Sequence, residues 1–406
     1  MRAFVVVKEN PSFRRFWLGM LLSRTGDVVT VVAVSWLVLT MAGPAELGLV
    51  ALCQGLPRAL AGPLAGHLLD RIQPRWLLGW DNAVRGVLIG LVPVLWLLGG
   101  LGVAVLCVLS ACAAAMSTLT EVAESAVVPR LVPPPDLAAA NTALATNWEA
   151  AAVLGPPLAG ALVAAATAPV ALAADAVSFF VMSALCLGLS RIEPVPADRV
   201  RPGFGVILRL PAVLWTSVAT CGFLFLGGMT EVLYPVLSKE VLHTGPVGYG
   251  LLVGATGVGG LAGVVLGTPL VLRLPPGRRI AAVVLAGAVP FALLPAAGTL
   301  VPAVVLVAAA SACWGPYFAV ERTSVQGLTP ESVRGRVMGA RSAISSLGFP
   351  AGSAVAGTVS AGVGPVAVVV AAAAGYLLVA VTLLVAGRLA PHAPVGRSFA
   401  RPADGP

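Results

Sequence analysis

The chain has 406 residues, of which 58% are hydrophobic and only 10% charged, against roughly 25% charged in an ordinary soluble domain. Its mean hydropathy is +0.96, and 25 basic with 17 acidic side chains cannot build the charged shell that a soluble protein of this size needs. A cytosolic globular enzyme, a disordered chain and a disulfide scaffold are excluded, and the continuous apolar runs do not fit the alternating strands of an outer-membrane barrel, which leaves an all-α polytopic membrane protein.

Apolar stretches of the length that a membrane-crossing helix needs fall at 14–40, 46–69, 76–98, 101–126, 137–165, 169–190, 210–238, 246–272, 279–298, 301–327, 336–361 and 364–387. The first is too long for a cleavable signal peptide, and no small-residue cleavage site follows it. The Pro- and charge-rich stretch 191–209 divides the twelve predicted helices six and six. The expected organisation is an N-terminal six-helix half over 1–190, a cytoplasmic central loop over 191–209, a C-terminal six-helix half over 210–390 and a cytoplasmic tail over 391–406.

Nineteen of the 25 basic residues fall on one side of this arrangement, and the opposite side has one, Lys239. Positive loops stay in the cytoplasm, so both termini and the central loop are expected there. The same asymmetry explains the net charge of +8 without nucleic acid as a partner. Basic residues comprise 23 Arg and two Lys, a bias that suits a GC-rich bacterial genome. The membrane is therefore expected to be a bacterial plasma membrane.

The six cysteines lie in apolar runs without a CxxC pair, and His67, His243 and His392 stand apart from one another. They read as packing thiols and isolated imidazoles, with no metal site. No GxxxxGK[ST] run is present, so the chain has no ATPase motor of its own, and no cofactor is expected.

An internal repeat recurs at an offset of 197 residues. GPLAGHLLD at 62–70 matches GGLAGVVLG at 259–267, and GPPLAGAL at 155–162 matches GSAVAGTV at 352–359; Pro133 matches Pro330. Two parallel six-helix halves with a binding site between them near the bilayer midplane follow from such a repeat.

The loop after the second predicted helix reads Gly66-His-Leu-Leu-Asp70-Arg71-Ile-Gln-Pro-Arg75. It resembles the signature loop G-x-L-A-D-R-x-G-R-R of the major facilitator superfamily. In the fifth helix Leu154-Gly155-Pro156-Pro157-Leu158-Ala159-Gly160 is similar to the G-P-x-L-G-G stretch of the antiporter and exporter branches of that superfamily. The stretch Glu9–Gly19 with Arg24-Thr25-Gly26-Asp27, the loop Val128-Pro129-Arg130-Leu131-Val132-Pro133, and Arg334-Gly335-Arg336-Val337-Met338-Gly339 resemble the subgroup of enterobactin-type exporters and macrolide efflux proteins. The resemblance covers nearly the whole chain. It implies a major facilitator fold, with Gly66, Asp70, Arg71, Arg75, Arg334 and Arg336 at a cytoplasmic gate. Gly155, Pro156 and Gly160 supply a helix that bends or rocks.

A charge inside a membrane helix is expensive, so each one is a functional candidate. Asp27 lies roughly 20 Å from the cytoplasmic side at 1.5 Å per residue, with Arg24 one turn below on the same face. Arg58 and Glu149 fall near the midplane, and Arg85 lies somewhat closer to the cytoplasm. Asp27 and Glu149 are the candidate proton-coupling carboxylates, with Arg24 or Arg58 as the basic neighbour that a protonation switch requires; a static ion pair is the plainer alternative. Glu231 sits in the outer part of the seventh helix, facing either substrate or the external mouth. Glu121, Glu124, Glu321, Arg322 and Asp175 are weaker candidates near helix ends, and Arg341 is placed to snorkel. Trp36, Trp148, Trp215, Trp314, Tyr234, Tyr317 and Phe318 either line a cavity for a bulky ligand or pack between helices.

The expectation is a monomeric secondary transporter that exports a small, partly hydrophobic molecule (a drug, an antibiotic or a siderophore) by alternating access in exchange for protons. Its partners would be that molecule, protons and membrane lipids. A nutrient importer of the same fold, and a non-transporting scramblase or assembly partner, remain as alternatives.

Overall fold

A computed structural model describes residues 2–69, 71–188, 204–330 and 333–389. Asp70, residues 191–203 of the central loop and the tail lie outside the described residues. Within them the chain is helical, as lipid demands: every backbone N–H and C=O must find its partner inside the segment. After a short helix α1 (Arg2–Glu9) come α2 (Pro11–Met41), α3 (Pro44–Leu69), α4 (Pro74–Leu97), α5 (Val103–Leu131), α6 (Leu137–Ala166) and α7 (Ala168–Leu187). Then follow α8 (Phe204–Ile207), α9 (Pro211–Val236), α10 (Gly245–Ala262), α11 (Thr268–Val271), α12 (Pro276–Ala292), α13 (Leu300–Trp314), α14 (Tyr317–Leu328), α15 (Arg334–Ser346), α16 (Gly348–Val363) and α17 (Pro365–Leu389).

Proline marks many helix starts, where its missing N–H has no intrahelical role. At α2, the N-cap Asn10 accepts from the Phe13 N–H at 2.9 Å and donates to the Leu131 carbonyl at 2.6 Å, tying α2 to the end of α5. Among the described residues, ten stretches are long and apolar enough to cross a membrane. The two other predicted spans, 46–69 and 336–361, correspond to α3 and to the pair α15–α16. The span 336–361 is not one continuous helix: it breaks at Leu347, because Pro350 brings no N–H to the carbonyl of Ser346. Pro316 interrupts the stretch 301–327 in the same way, between α13 and α14.

Helices α2 to α7 pack chiefly on one another, with α3 on α5, α4 on α7, and α2 on α6 and α7. Helices α9 to α17 form a second set, with α9 on α16 and α17, and α12 on α13 and α17. Two seams join the sets, α6 against α10 and α3 against α16. Both rest on backbone approach. A Cβ on Gly160 would come 3.2 Å from the Cα of Gly250 and closer still to the Pro246 carbonyl oxygen. A Cβ on Gly357 would meet the Cα of Gly48 at 2.6 Å and the carbonyl oxygen of Pro44. At the same end the Lys239 ammonium donates to the Leu39 carbonyl at 2.7 Å.

The apolar core divides accordingly. One large cluster, including Val32, Leu37, Leu47, Leu233, Leu237 and Tyr249, is shared by both sets at the seam end. At the end that carries the first helix, the first set has its own cluster around Phe13, Phe16 and Leu144, and the second set has its own around Val213, Val325 and Val337. The sets are joined at one end and part towards the other. The outer surface presents large apolar side chains such as Leu97, Leu98, Leu154, Leu266, Val301 and Leu378, the surface that lipid solvates.

Candidate functional site

Between the two sets lies a cavity of about 450 Å³, walled by α2, α3, α4, α5, α6 and α7 on one side and by α9, α10 and the start of α16 on the other. Its apolar lining includes Val28, Val31, Ala51, Ile89, Trp148, Pro156, Phe179, Val253 and Phe349. The charged groups that reach it are Arg24, Asp27, Arg58, Arg85, Glu121 and Glu231. Five of these six come from the first set. The lining stripe of α6 (Trp148, Ala152, Pro156) follows the i, i+4, i+8 spacing that puts residues on one helix face.

Each lining arginine is held by a carboxylate. Arg85 pairs with Asp27, Arg58 with Glu121, and Arg24 with Glu124 at 2.5 Å. These pairings correct two expectations. Arg24 and Asp27 share one helix, but their partners stand across the bundle on α5 and α4, where side chains from facing helices converge. Arg58 likewise turns to α5, and not to Asp27. Arg24 also lies over the Trp148 ring, 4.9 Å from its centroid.

The pair Asp27–Arg85 is asymmetric: the Arg85 side chain is 6% exposed and that of Asp27 is 41% exposed, on the cavity side. Behind it stand two further carboxylates that are each 2% exposed, Asp81 and Asp175. Asp81 is one helical turn from Arg85 on α4 and accepts from the Thr120 hydroxyl. Asp175 of α7 accepts from Thr30 and, at 2.9 Å, from Ser178. The Arg85 guanidinium also covers the Phe179 ring at 4.1 Å from its centroid. Three carboxylates thus lie within electrostatic reach of one guanidinium. Sequence reading overlooked Asp81, although its signal was present: a charge inside the predicted span 76–98. Asp175 reads from the sequence only as a weaker candidate, early in its helix and towards the external end of the span.

Other candidates fall elsewhere. Glu149 does not line the cavity; it is half-buried and, among the described residues, has no ion-pair partner. It stands one position past Trp148, about 100° around α6 from the lining stripe. Glu231 of α9 reaches the cavity from the second set. Of the proposed gate, Gly66 lies within α3, Arg71 is exposed in the turn that follows, and Arg75 donates to Gln73 at 3.2 Å. Arg334 is half-buried and Arg336 exposed at the start of α15. Gly155 lies against Val28 of α2, while Pro156 both lines the cavity and approaches Gly250. Arg341 does not snorkel: it donates twice to Glu321, which is fully buried.

Among the aromatic candidates, Trp148 lines the cavity. Trp314 and Tyr317 pack with Phe223, Phe291 and Tyr376 inside the second set, with Phe223 stacked on Tyr317 at 3.9 Å between centroids. Phe318 borders this cluster and is exposed, Tyr234 is buried, Trp36 is half-buried against the core, and Trp215 is exposed. Helix packing claims most of them because this Ala- and Gly-rich chain needs a few large side chains to fill space.

The transmembrane secretion effector family model matches residues 7–395. The multidrug efflux pump Tap of Mycobacterium tuberculosis (strain ATCC 25618 / H37Rv) is 28% identical over 356 residues, covering 83% of this chain and 84% of the relative. An uncharacterized MFS-type transporter of Sinorhizobium fredii is 26% identical over 375 residues, covering 87% and 89%. Among solved structures, a bacterial homologue of the iron transporter ferroportin in an inward-facing state superposes with a TM-score of 0.73 at 21% identity, covering 93% of this chain and 98% of that one. The nucleoside transporter NupG gives 0.73 at 12% identity over 92% and 98%. These likenesses show the major facilitator fold, and the family match over nearly its whole length means that the chain belongs to the transmembrane secretion effector family of the major facilitator superfamily, a class of non-enzymatic, multi-pass membrane transporters of small molecules.

Proposed function

We propose that the protein exports a small, partly hydrophobic molecule from a bacterial cell in exchange for protons, with residues 1–190 and 210–390 rocking about the cavity. The observation that carries this reading is the position of Asp27: reachable from the cavity, yet paired with an Arg85 that has two more carboxylates within reach. A proton arriving at Asp27 removes its charge and releases Arg85 towards Asp81 on its own helix and Asp175 on α7. The guanidinium then binds a different pair of helices, so protonation is converted into a change of packing. Such a device needs a group that meets water and a partner that does not, and this pair has that asymmetry.

The Tap likeness supports export of drug-like molecules, since the alignment spans both sets of helices. The basic loops support cytoplasmic termini, and on that reading the cavity, closed at the seam end, opens inward in this state. Drug accumulation in everted membrane vesicles with an imposed pH gradient tests the reading. Uptake into the vesicles driven by an acidic interior, abolished in Asp27→Asn with substrate binding retained, is the expected result. Export that keeps its pH-gradient dependence in Asp27→Asn would falsify the coupling role, and movement in the opposite direction would establish an importer.

A further inference from the structure

We propose that Glu231 is the counter-ion for a cationic substrate, so that the cavity selects lipophilic monocations over neutral or anionic molecules of the same shape. This rests on reading the cavity as the substrate site. Of the charges that reach it, Arg24, Arg58 and Arg85 each already hold a carboxylate, on Glu124, Glu121 and Asp27. Glu231 is the lining charge that, among the described residues, has no ion-pair or hydrogen-bond partner. Arg58 also lines the cavity, but its guanidinium is already bonded to Glu121. The first set of helices therefore presents charges neutralised in pairs, and the second presents one uncompensated carboxylate.

Position reinforces charge. Glu231 lies about 30 Å along α9 from Pro211 at 1.5 Å per residue, close to the seam end where the two sets share their core. An anion there stands far from the open end, with apolar neighbours such as Val253 and Phe349 on the same wall. Pro235, one turn further on, brings no N–H to the Glu231 carbonyl, so the helix carries an extra acceptor at that residue. A ligand that puts a positive centre at Glu231 and an apolar body against Val28, Val31, Val253 and Phe349 matches both the charge and the apolar lining. An anion meets arginines already engaged and a carboxylate that repels it. A neutral molecule leaves Glu231 without a counter-charge.

The test is direct binding to the purified full chain with three probes of similar shape: tetraphenylphosphonium, the isosteric anion tetraphenylborate, and neutral triphenylphosphine oxide. The wild type is expected to prefer tetraphenylphosphonium. Glu231→Gln, nearly isosteric, should weaken that binding by about tenfold or more and leave triphenylphosphine oxide within about twofold. Glu231→Asp should keep the preference for the cation. If Glu231→Gln proves unstable, Glu231→Asp decides, since loss of charge preference in a folded Asp variant overturns the proposal. A wild type without preference for the cation, or a Glu231→Gln variant that binds it undiminished, also overturns it. Vesicle export measured in parallel separates the two readings: charge-selective binding without proton-driven export supports Glu231 and sinks the exchange mechanism, whereas export of neutral drugs without any preference for the cation does the reverse.

Discussion

Gly160 of α6 and Gly357 of α16 make the same contact in the two seams. In each case an added Cβ would run into the carbonyl oxygen of a proline and the Cα of the glycine four residues after it, Pro246 and Gly250 in one case and Pro44 and Gly48 in the other. The two glycines are separated by the offset of 197 residues that relates the two repeat stretches in the sequence. The repeat is thus expressed as a pair of equivalent backbone contacts on either side of the cavity, and small residues are required because lipid offers no hydrophobic drive to hold helices together at longer range.

A side chain at either glycine should open its seam. Gly160→Val and Gly357→Val are each expected to cost about 1–3 kcal/mol through forced separation of the helices, and to lengthen the distance between spin labels placed at Ala42 and His243. Unchanged label distances in a folded variant would show that the seam tolerates bulk and is not the closure.

Removing Arg85 leaves Asp27, Asp81 and Asp175 with no guanidinium between them. Arg85→Met should cost about 3–5 kcal/mol, the range for stripping one partner from a buried pair, read as a lower thermal unfolding temperature in detergent. Asp27→Asn should recover part of the loss when added to Arg85→Met, because it removes one of the stranded charges. Additive losses in the double variant would mean that the groups do not share the guanidinium.

Glu321 and Arg341 offer the contrasting case of a structural pair. Glu321 is fully buried, bonded twice to Arg341, and absent from the cavity lining. Glu321→Ala is expected to destabilise by about 3–5 kcal/mol while the surviving protein binds substrate with wild-type affinity. A change in affinity at unchanged stability would move this pair from scaffold to site.

Trp148 brings a large apolar face to the cavity and receives the Arg24 guanidinium on its ring. Trp148→Ala should weaken binding of a lipophilic probe by about 1–2 kcal/mol through lost contact and an untethered Arg24. Equilibrium binding measures this, and Trp148→Phe should lie between the two.

Composition alone determined that the chain crosses a membrane many times, because 10% charge cannot solvate a protein of 406 residues. The apolar runs located the helices to within a few residues, except where Pro350 and Pro316 divide a run that hydropathy reads as continuous. The charges inside the spans were equally legible as individuals: Arg24, Asp27, Arg58, Arg85 and Glu231 all reach the cavity. Their pairing was not legible. Spacing along one helix suggested Asp27 with Arg24, but an ion pair is decided by which side chains converge across the bundle, and those of α2 meet charges from α4 and α5. For the same reason Glu149, at a suitable depth, turns away from the cavity, and Asp81 and Asp175 acquire importance only beside Arg85. Depth is a property of position along one segment, and the sequence carries it; partnership depends on rotation and packing of separate segments, and only the tertiary structure decides it.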